Sequence, residues 1–324
     1  MPDEDFEIRN PDLRFCRGRG IGMAEKELII YLNGQFVPES EAKVSIYDRC
    51  FLYGDGIFDG MTVWGGVPFR LDAHLRRMYK GLSYLRIENP LTDEEWKKAI
   101  MEMIRVNEID RGYLRPQVSR GEGMLSTKWE PHILRKGRPN VVIIPELFLA
   151  YGEALQKGFR AKILSRPRIP SMSIPGGMKH CNYLNTILGA IEVSACGLDI
   201  GIAVNQQGYV TEGIAYNIFM VKDGALYTPP LTLDLLPGIT REVIIEIGRR
   251  EGYKVFESEF DAFTLCTADE VFFCSTVRLG GPVIEIDGRK IGDGKRGPIT
   301  KRIGELLLAE MDSEAEEFKK RSKR

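Results

Sequence analysis

Hydrophobic positions recur along this chain at two different periods, so the pattern predicts both strands and helices. Short alternating runs flank glycine turns and predict hairpins, the first of them over Leu28–Pro38 with Asn33-Gly34 at its turn. Spacings of three and four residues predict helices that begin at Asp72 and at Thr92. Strands outnumber helices in both halves of the chain, which is typical of a mixed α/β (α+β) fold.

One stretch, 174–219, is predicted to run through a loop, a helix, a strand, a turn and a second strand. Glycines break regular structure just before Lys179, and Asn182 is placed to cap the helix that follows. The apolar face of this helix is formed by residues at spacings of three and four, namely Leu184, Ile187, Leu188 and Ile191. The second strand carries Glu212. The pattern therefore places a lysine just before a helix and a glutamate on a strand that passes nearby.

Lys179 and Glu212 are the residue types that a pyridoxal 5'-phosphate site requires. A lysine that forms a Schiff base must be held rigidly and partly desolvated, so that some neutral amine is available. An acidic group at the ring nitrogen keeps the pyridinium protonated. A single lysine in a glycine-rich loop is far more often an ordinary surface residue. The surrounding sequence therefore has to decide between the two interpretations.

Charge and composition exclude several classes of function. The formal net charge of -1 provides no field for nucleic acid or an anionic membrane, and no apolar run approaches a membrane span. The polar N-terminus is unlike a signal peptide. The six cysteines have no metal-type or redox-type spacing, so we interpret them as free thiols of a cytoplasmic protein. With only three histidines, no metal site is expected.

The length of 324 residues suits two domains. The predicted division is an N-terminal extension (1–25), a small domain (26–147), a linker (148–158), a large domain (159–312) and a charged, solvated tail (313–324).

Three local features add to this division. A last helix is predicted from Gly297-Pro298 to about Met311. Pro116 predicts an edge strand or a bulge, because proline cannot donate to a strand ladder. The long loop 121–138 has the length of a functional or mobile segment.

Four sequence blocks occur in a characteristic order: MKHCNYLNTIL, GYVTEGIAYNIF, LYTPP and LLPGITR. Together they resemble the class IV (fold type IV) pyridoxal-phosphate enzymes, and the resemblance runs from about Leu28 to Met311. It implies a small N-terminal α/β sandwich and a larger C-terminal pseudo-barrel domain. It also implies pyridoxal 5'-phosphate as cofactor and at least a homodimer, because sites of this family are built partly from the neighbouring subunit.

The same resemblance assigns cofactor contacts residue by residue. Lys179 would form the Schiff base, Glu212 would face the ring nitrogen, and Tyr183, one helical turn on, would bind the phenolic oxygen. The block HLRRM gives Arg77 the role of clamping the phosphate, to which a planar guanidinium is suited. The remaining phosphate contacts are the amides of Ile239 and Thr240 at a helix start, together with Ser275 and Thr276.

Substrate contacts are implied at four positions that match branched-chain aminotransferases, Tyr53, Phe58, Tyr113 and Arg115, and Trp64 is expected to add to the apolar wall of the pocket. An apolar pocket of this kind suits a short aliphatic side chain, and Arg115 could bind a carboxylate. The implied reaction moves an amino group between a branched-chain or aliphatic amino acid and 2-oxoglutarate.

One block departs from the branched-chain pattern. That pattern has Glu-Gly-Ile-Arg where this chain has Asp59-Gly60-Met61-Thr62. Loss of the arginine removes a charge that could attract a dicarboxylate acceptor, and both Asp59 and Val63-Trp64 are more similar to (R)-amine transaminases. An (R)-selective amine or D-amino-acid transaminase is therefore the alternative. Aminodeoxychorismate lyase and a non-catalytic relative are further alternatives.

Overall fold

The computed structural model describes residues 27–123, 138–147, 158–278 and 280–321. The predicted N-terminal extension, the middle of loop 121–138 and nearly all of the linker lie outside these ranges. The described residues form two sheets, one from strands before residue 148 and one from strands after residue 157. Among these residues, none of the helices has the length and apolar content to cross a membrane.

The first sheet has seven strands in the order β2-β1-β7-β6-β4-β5, with β3 also paired to β6. Their bounds are β1 Ile29–Leu32, β2 Gln35–Pro38, β3 Gly56–Phe58, β4 Met61–Trp64, β5 Val67–Pro68, β6 Arg111–Ser119 and β7 Asn140–Leu147. Three helices accompany it: α1 Arg49–Tyr53, α2 Leu71–Leu85 and α3 Asp93–Val106.

Several local predictions hold in this half. Asn33 and Gly34 have φ of 50° and 92° and form the turn of the first hairpin, as the side-chain preferences of such turns require. Thr92 and Glu95 form the capping box that starts α3. The apolar face of α2, including Leu75 and Met78, packs in the core with α3 and the sheet.

The sequence predicts an edge strand or a bulge at Pro116. The structure places Pro116 in the central strand β6. On one side, β6 pairs with two strands in turn. Residues of β6 up to Leu114 pair with β4, and residues from Gln117 onward pair with β3. The residue opposite the interruption is Asp59, whose N–H donates to the Pro116 carbonyl at 2.9 Å. The missing N–H of Pro116 therefore faces a break in the ladder and costs no hydrogen bond.

The second sheet has nine strands in the order β10-β9-β8-β15-β14-β11-β12-β13, with β16 on β15. Their bounds are β8 Phe159–Ile163, β9 Ile200–Val204, β10 Val210–Gly213, β11 Asn217–Lys222, β12 Ala225–Thr228, β13 Val255–Glu257, β14 Glu270–Cys274, β15 Gly281–Ile286 and β16 Arg289–Lys290. Its helices are α4 Leu184–Ala195, α5 Ile239–Arg250, α6 Ala262–Cys266 and α7 Pro298–Arg321.

The two outer strands of this second sheet approach each other. The N–H of Val210 on β10 donates to the carbonyl of Phe260, three residues after β13, at 2.9 Å. Tyr209 and Asp261 form a bridge at the same place. The sheet therefore curls until its edges nearly meet, which agrees with the predicted pseudo-barrel.

Two helices differ from the prediction. Helix α4 starts at Leu184 with Tyr183, not Asn182, at its N-cap, and no side chain caps it. Helix α7 continues past Met311 to Arg321 because Ala315 is buried and Phe318 packs on the same core. Most of the predicted solvated tail is therefore helix.

Candidate active site

A cleft with about 670 Å³ of space that opens to solvent lies where α2 faces the second sheet. All eight residues assigned to the cofactor line it: Arg77, Lys179, Tyr183, Glu212, Ile239, Thr240, Ser275 and Thr276. They come from α2, from the loop before α4, from β10, from the start of α5 and from the end of β14. The structure thus brings together residues that lie up to about two hundred positions apart in the chain.

Lys179 is held by strand pairing and not by a helix. Its carbonyl accepts a hydrogen bond from the N–H of Phe58 at 3.0 Å, and the next residue, His180, bridges to Ile57 on β3. The Lys179 amine lies 4.7 Å from the centre of the Phe58 ring. The backbone of the lysine is therefore fixed against the first sheet while its amine faces the cleft.

Tyr183 lies on the same side of the cleft, with its ring centre 5.3 Å from that of Phe58. The sequence prediction that it lies one helical turn after Lys179 is wrong in its geometry, because α4 starts only at Leu184. An irregular segment with a bend at Cys181 precedes the helix. Lys179 and Tyr183 nevertheless line one cleft.

Glu212 is held at both carboxylate oxygens. Oε1 pairs with Arg168 at 2.8 Å, and Oε2 accepts the N–H of Leu236 at 3.0 Å. Burial raises the pKa of Glu212, and the Arg168 guanidinium opposes that increase. The carboxylate is therefore fixed in orientation and has a cation beside it that favours its charged form.

Arg168 lines the cleft and was missed by the sequence reasoning. It lies in an irregular segment after β8, where no periodicity marks it. Its backbone N–H donates to the Val204 carbonyl at 2.8 Å, which aligns the segment with β9. The available signal was the Arg166-Pro167-Arg168 string at the end of a strand, and that signal alone is weak.

The start of α5 forms an anion site at the other end of the cleft. Gly238 is the N-cap and no side chain caps the helix, so the first amides point into the cleft. A Cβ at Gly238 would lie 2.0 Å from Oδ1 of Asn217, so only glycine fits there. Asn217 in turn donates to the Leu236 carbonyl at 3.0 Å and shapes the approach to the helix.

Arg77 reaches the cleft from α2 and is fixed by Asp59. Its Nε and one terminal nitrogen donate to the two Asp59 oxygens at 2.9 and 2.7 Å, and the other terminal nitrogen donates to the Pro237 carbonyl at 2.8 Å. His74 contacts the same carboxylate at 2.8 Å. The guanidinium is therefore oriented between the first sheet and the start of α5.

Asp59 is fully buried, so its charge depends on these partners. Burial acts to raise the pKa of Asp59, but Arg77 and His74 outweigh it and the pKa lies far below its ordinary value. The sequence had singled out Asp59 as a departure in the substrate region. In the structure it supports Arg77.

None of the five residues assigned to the substrate is among the residues that line the cleft, and Phe58 is the one that lies beside the Lys179 amine. Phe58 touches the Lys179 amine, and the Arg115 guanidinium lies 3.7 Å from the centre of the Phe58 ring. Tyr113 lies against Gly60, whose added Cβ would be 2.1 Å from the tyrosine hydroxyl. Tyr53 ends α1 and lies under Arg49.

Trp64 is not among the residues that line the cleft. Its indole N–H donates to Asp312 of α7 at 2.7 Å, and Arg111 lies 4.2 Å from the centre of its ring. The ring is part of the core between the first sheet and α7. The structure therefore gives Trp64 a packing contact where the sequence predicted a pocket wall.

The family model that matches this chain is amino-transferase class IV, over residues 56–286. The chain belongs to that family, and it is an aminotransferase of that class. The fold type and enzyme class predicted from the sequence are confirmed.

Several curated relatives and solved structures are named branched-chain aminotransferases, and one relative is named a D-alanine aminotransferase. A putative branched-chain-amino-acid aminotransferase of Methanocaldococcus jannaschii is 40% identical over 85% of this chain and 94% of its own length. The solved branched-chain amino acid aminotransferase of Escherichia coli is 32% identical with a TM-score of 0.82, over 88% of this chain and 94% of that chain. A D-alanine aminotransferase of Staphylococcus haemolyticus is 32% identical over 85% of this chain and 95% of its own length.

Proposed function

We propose that the protein is a pyridoxal 5'-phosphate-dependent transaminase that moves an amino group between a branched-chain or aliphatic amino acid and 2-oxoglutarate. One observation carries the proposal: a lysine amine, a fixed carboxylate and an uncapped helix start line a single cleft. These three groups fit the carbonyl, the ring nitrogen and the phosphate of that cofactor. The names of the relatives support the substrate class.

The cofactor, when bound, supplies an electron sink that stabilises negative charge at the substrate Cα. The residues of this chain would do the rest. Lys179 is placed to attach the cofactor and then to move the proton at the substrate Cα. Glu212 would keep a proton on the ring nitrogen, and the Tyr183 hydroxyl would bind the phenolic oxygen.

The phosphate would be held by hydrogen-bond donors and one cationic side chain of this chain. Ser275, Thr276 and the first amides of α5 offer hydrogen-bond donors, and Arg77 adds positive charge. In the described ranges, His, Cys, Asp and Glu side chains form no group of three or more that could hold a metal ion.

Amino-donor kinetics test the substrate class. With 2-oxoglutarate as acceptor, kcat/KM for L-leucine should exceed that for D-alanine and for an (R)-1-arylethylamine, because several similar proteins are named branched-chain-amino-acid aminotransferases and the apolar Phe58 ring lies beside the Lys179 amine. In the reverse direction, amination of 2-oxoisocaproate should be faster than amination of apolar ketones. Equal or slower reaction of the branched-chain substrates would contradict the proposal.

The alternative is a D-amino-acid or (R)-amine transaminase. It is favoured by the D-alanine aminotransferase relative and by Thr62 at a position where the branched-chain pattern has arginine. Higher kcat/KM with D-alanine than with L-leucine would establish it. Release of pyruvate from aminodeoxychorismate would instead indicate a lyase.

We also propose that the protein is a cytoplasmic homodimer or higher homo-oligomer. The apolar face of α4 is exposed, with Leu184 at 62%, Ile187 at 50% and Ile191 at 59%. Phe51 of α1 is exposed at 70%, and Gly54 at the end of α1 lies against Asn182, so the two apolar surfaces adjoin. Continuous exposed apolar surface of this kind is typical of a protein interface.

Replacing Ile187 with glutamate should therefore dissociate the oligomer, because it places a charge in the apolar surface of α4. Sedimentation velocity would show wild-type protein at twice the 36.7 kDa chain mass or more, and Ile187→Glu as a monomer. The control is Phe263→Glu, which changes an exposed apolar residue of α6. A monomeric wild-type protein would contradict this part of the proposal.

A further inference from the structure

Thr62 makes a hydrogen bond between the two halves of the molecule. It lies on β4, opposite Tyr113 of β6, and is only 2% exposed. Its hydroxyl donates to the main-chain carbonyl of Thr276, which follows β14 of the second sheet. A side chain of the first sheet is therefore bonded to the backbone of a residue that lines the cleft.

The backbone that Thr62 reaches is a tight turn over residues 275–278. Within it, the Ser275 N–H donates to the Arg278 carbonyl at 2.9 Å, and the Arg278 N–H donates to the Ser275 hydroxyl at 3.0 Å. The strand before the turn is fixed by the pairing of Cys274 with Asn217. Thr62 adds a bond from outside the turn at a residue that lines the cleft.

We propose that Thr62 is a positioning residue for the phosphate end of the cleft, where it holds Thr276 in place to bind the cofactor phosphate. This inference rests on the proposed function. A threonine is suited to the task because its branched Cβ restricts χ1 in a strand, which keeps the hydroxyl aimed at one acceptor. The departure from arginine noted in the sequence thus acquires a role of its own in this chain.

The test compares cofactor affinity in matched variants. Thr62→Val keeps the shape and deletes the hydroxyl, so the Kd for pyridoxal 5'-phosphate, titrated into apo-protein, should rise about 3- to 10-fold, the effect of losing one hydrogen bond. The Kd for pyridoxal, which has no phosphate, should not change. Thr62→Ser restores the hydroxyl and should recover most of the affinity.

Thr228→Val is the structural control. The Thr228 hydroxyl is equally buried and donates to a main-chain carbonyl, that of Ile218 at 2.8 Å, but Thr228 lies on β12 and outside the cleft lining. The Thr228→Val variant should lower Tm as Thr62→Val does. Its Kd values for pyridoxal 5'-phosphate and for pyridoxal should both stay at the wild-type level.

Three results would overturn the inference. They are an unchanged Kd for pyridoxal 5'-phosphate in Thr62→Val, an equal loss of affinity for pyridoxal, and a Thr62→Ser variant as weak as the valine. If Thr62→Val does not fold, Thr62→Ser still decides, because it must then keep most of the wild-type affinity for pyridoxal 5'-phosphate. Wild-type protein that does not bind pyridoxal 5'-phosphate would instead contradict the proposed function itself.

Discussion

Replacing Lys179 with alanine is expected to lower kcat by about 10²- to 10⁴-fold. This is the range for the loss of a side chain that transfers a proton in the transition state. Lys179 alone among the proposed groups places an amine both to attach the cofactor and to face the substrate Cα. Phe58 and the pairing with β3 fix its backbone whether or not the amine is present. The loss should therefore appear in kcat, while the folded structure and Tm remain close to wild type.

The control for this experiment is Lys162→Ala. The Lys162 amine lies 3.9 Å from the carboxylates of Glu192 and Asp287, and its side chain is partly exposed to solvent. Such pairs contribute little, so activity and stability should change little. A Lys179→Ala variant with more than about a tenth of wild-type kcat would contradict the role given to this lysine.

Replacing Asp59 with asparagine is expected to lower the free energy of unfolding by about 3–5 kcal/mol, the cost of removing one partner of a buried ion pair. Asp59 is fully buried and neutralises Arg77, whose side chain is 8% exposed. The asparagine leaves the guanidinium without a counter-charge. The variant should also bind pyridoxal 5'-phosphate less tightly, because Arg77 is no longer fixed on two oxygens. Urea unfolding would give the first effect and cofactor titration the second.

The same carboxylate makes the effect depend on pH. The folded pKa of Asp59 lies below the unfolded value of about 3.9, so its contribution is fully present above that pH and is lost as the pH falls through the acid range. The stability difference between wild type and Asp59→Asn should therefore be constant near neutral pH and shrink at strongly acidic pH.

Asp72→Asn is the matched control, since Asp72 pairs with Lys97 but is 63% exposed at its side chain. Its effect should be within about 1 kcal/mol. An Asp59→Asn variant as stable as this control would show that the buried pair is not needed.

Much of the cofactor site could be predicted from the sequence because its residues lie in ordered blocks. Lys179, Glu212 and the start of α5 each follow a local signal, such as a glycine loop, a strand or a helix entry. In the structure, Lys179, Glu212 and the start of α5 all line the same cleft. The helix α3, with its capping box, was predicted for the same reason.

Contacts made across the chain could not be predicted in this way. The ion pair between Arg168 and Glu212 joins two residues that are 44 positions apart in the chain. Trp64 was expected at the substrate, but α7 covers it, and nothing in its own neighbourhood indicates that helix. Pro116 was expected at an edge strand or a bulge. The break between β3 and β4 that accommodates it could not be predicted, because it depends on how these two strands pair with β6.

Local rules also failed where a feature depends on packing. Residues after Met311 are strongly charged and look solvated, yet Ala315 and Phe318 continue the apolar side of α7. The start of α4 was assigned from the capping preference of Asn182. In the structure, His180 bridges to Ile57 of β3, and an irregular segment separates this bridge from the helix, which begins at Leu184.

The role of Lys179 is tested most directly by finding the residue to which the cofactor is attached. Wild-type protein saturated with pyridoxal 5'-phosphate would be reduced with sodium borohydride, digested and analysed by peptide mass spectrometry. A single pyridoxyl-phosphate group is expected on Lys179, and none is expected after the same treatment of Lys179→Ala. A label on another lysine, or no stable label at all, would contradict the central role of Lys179.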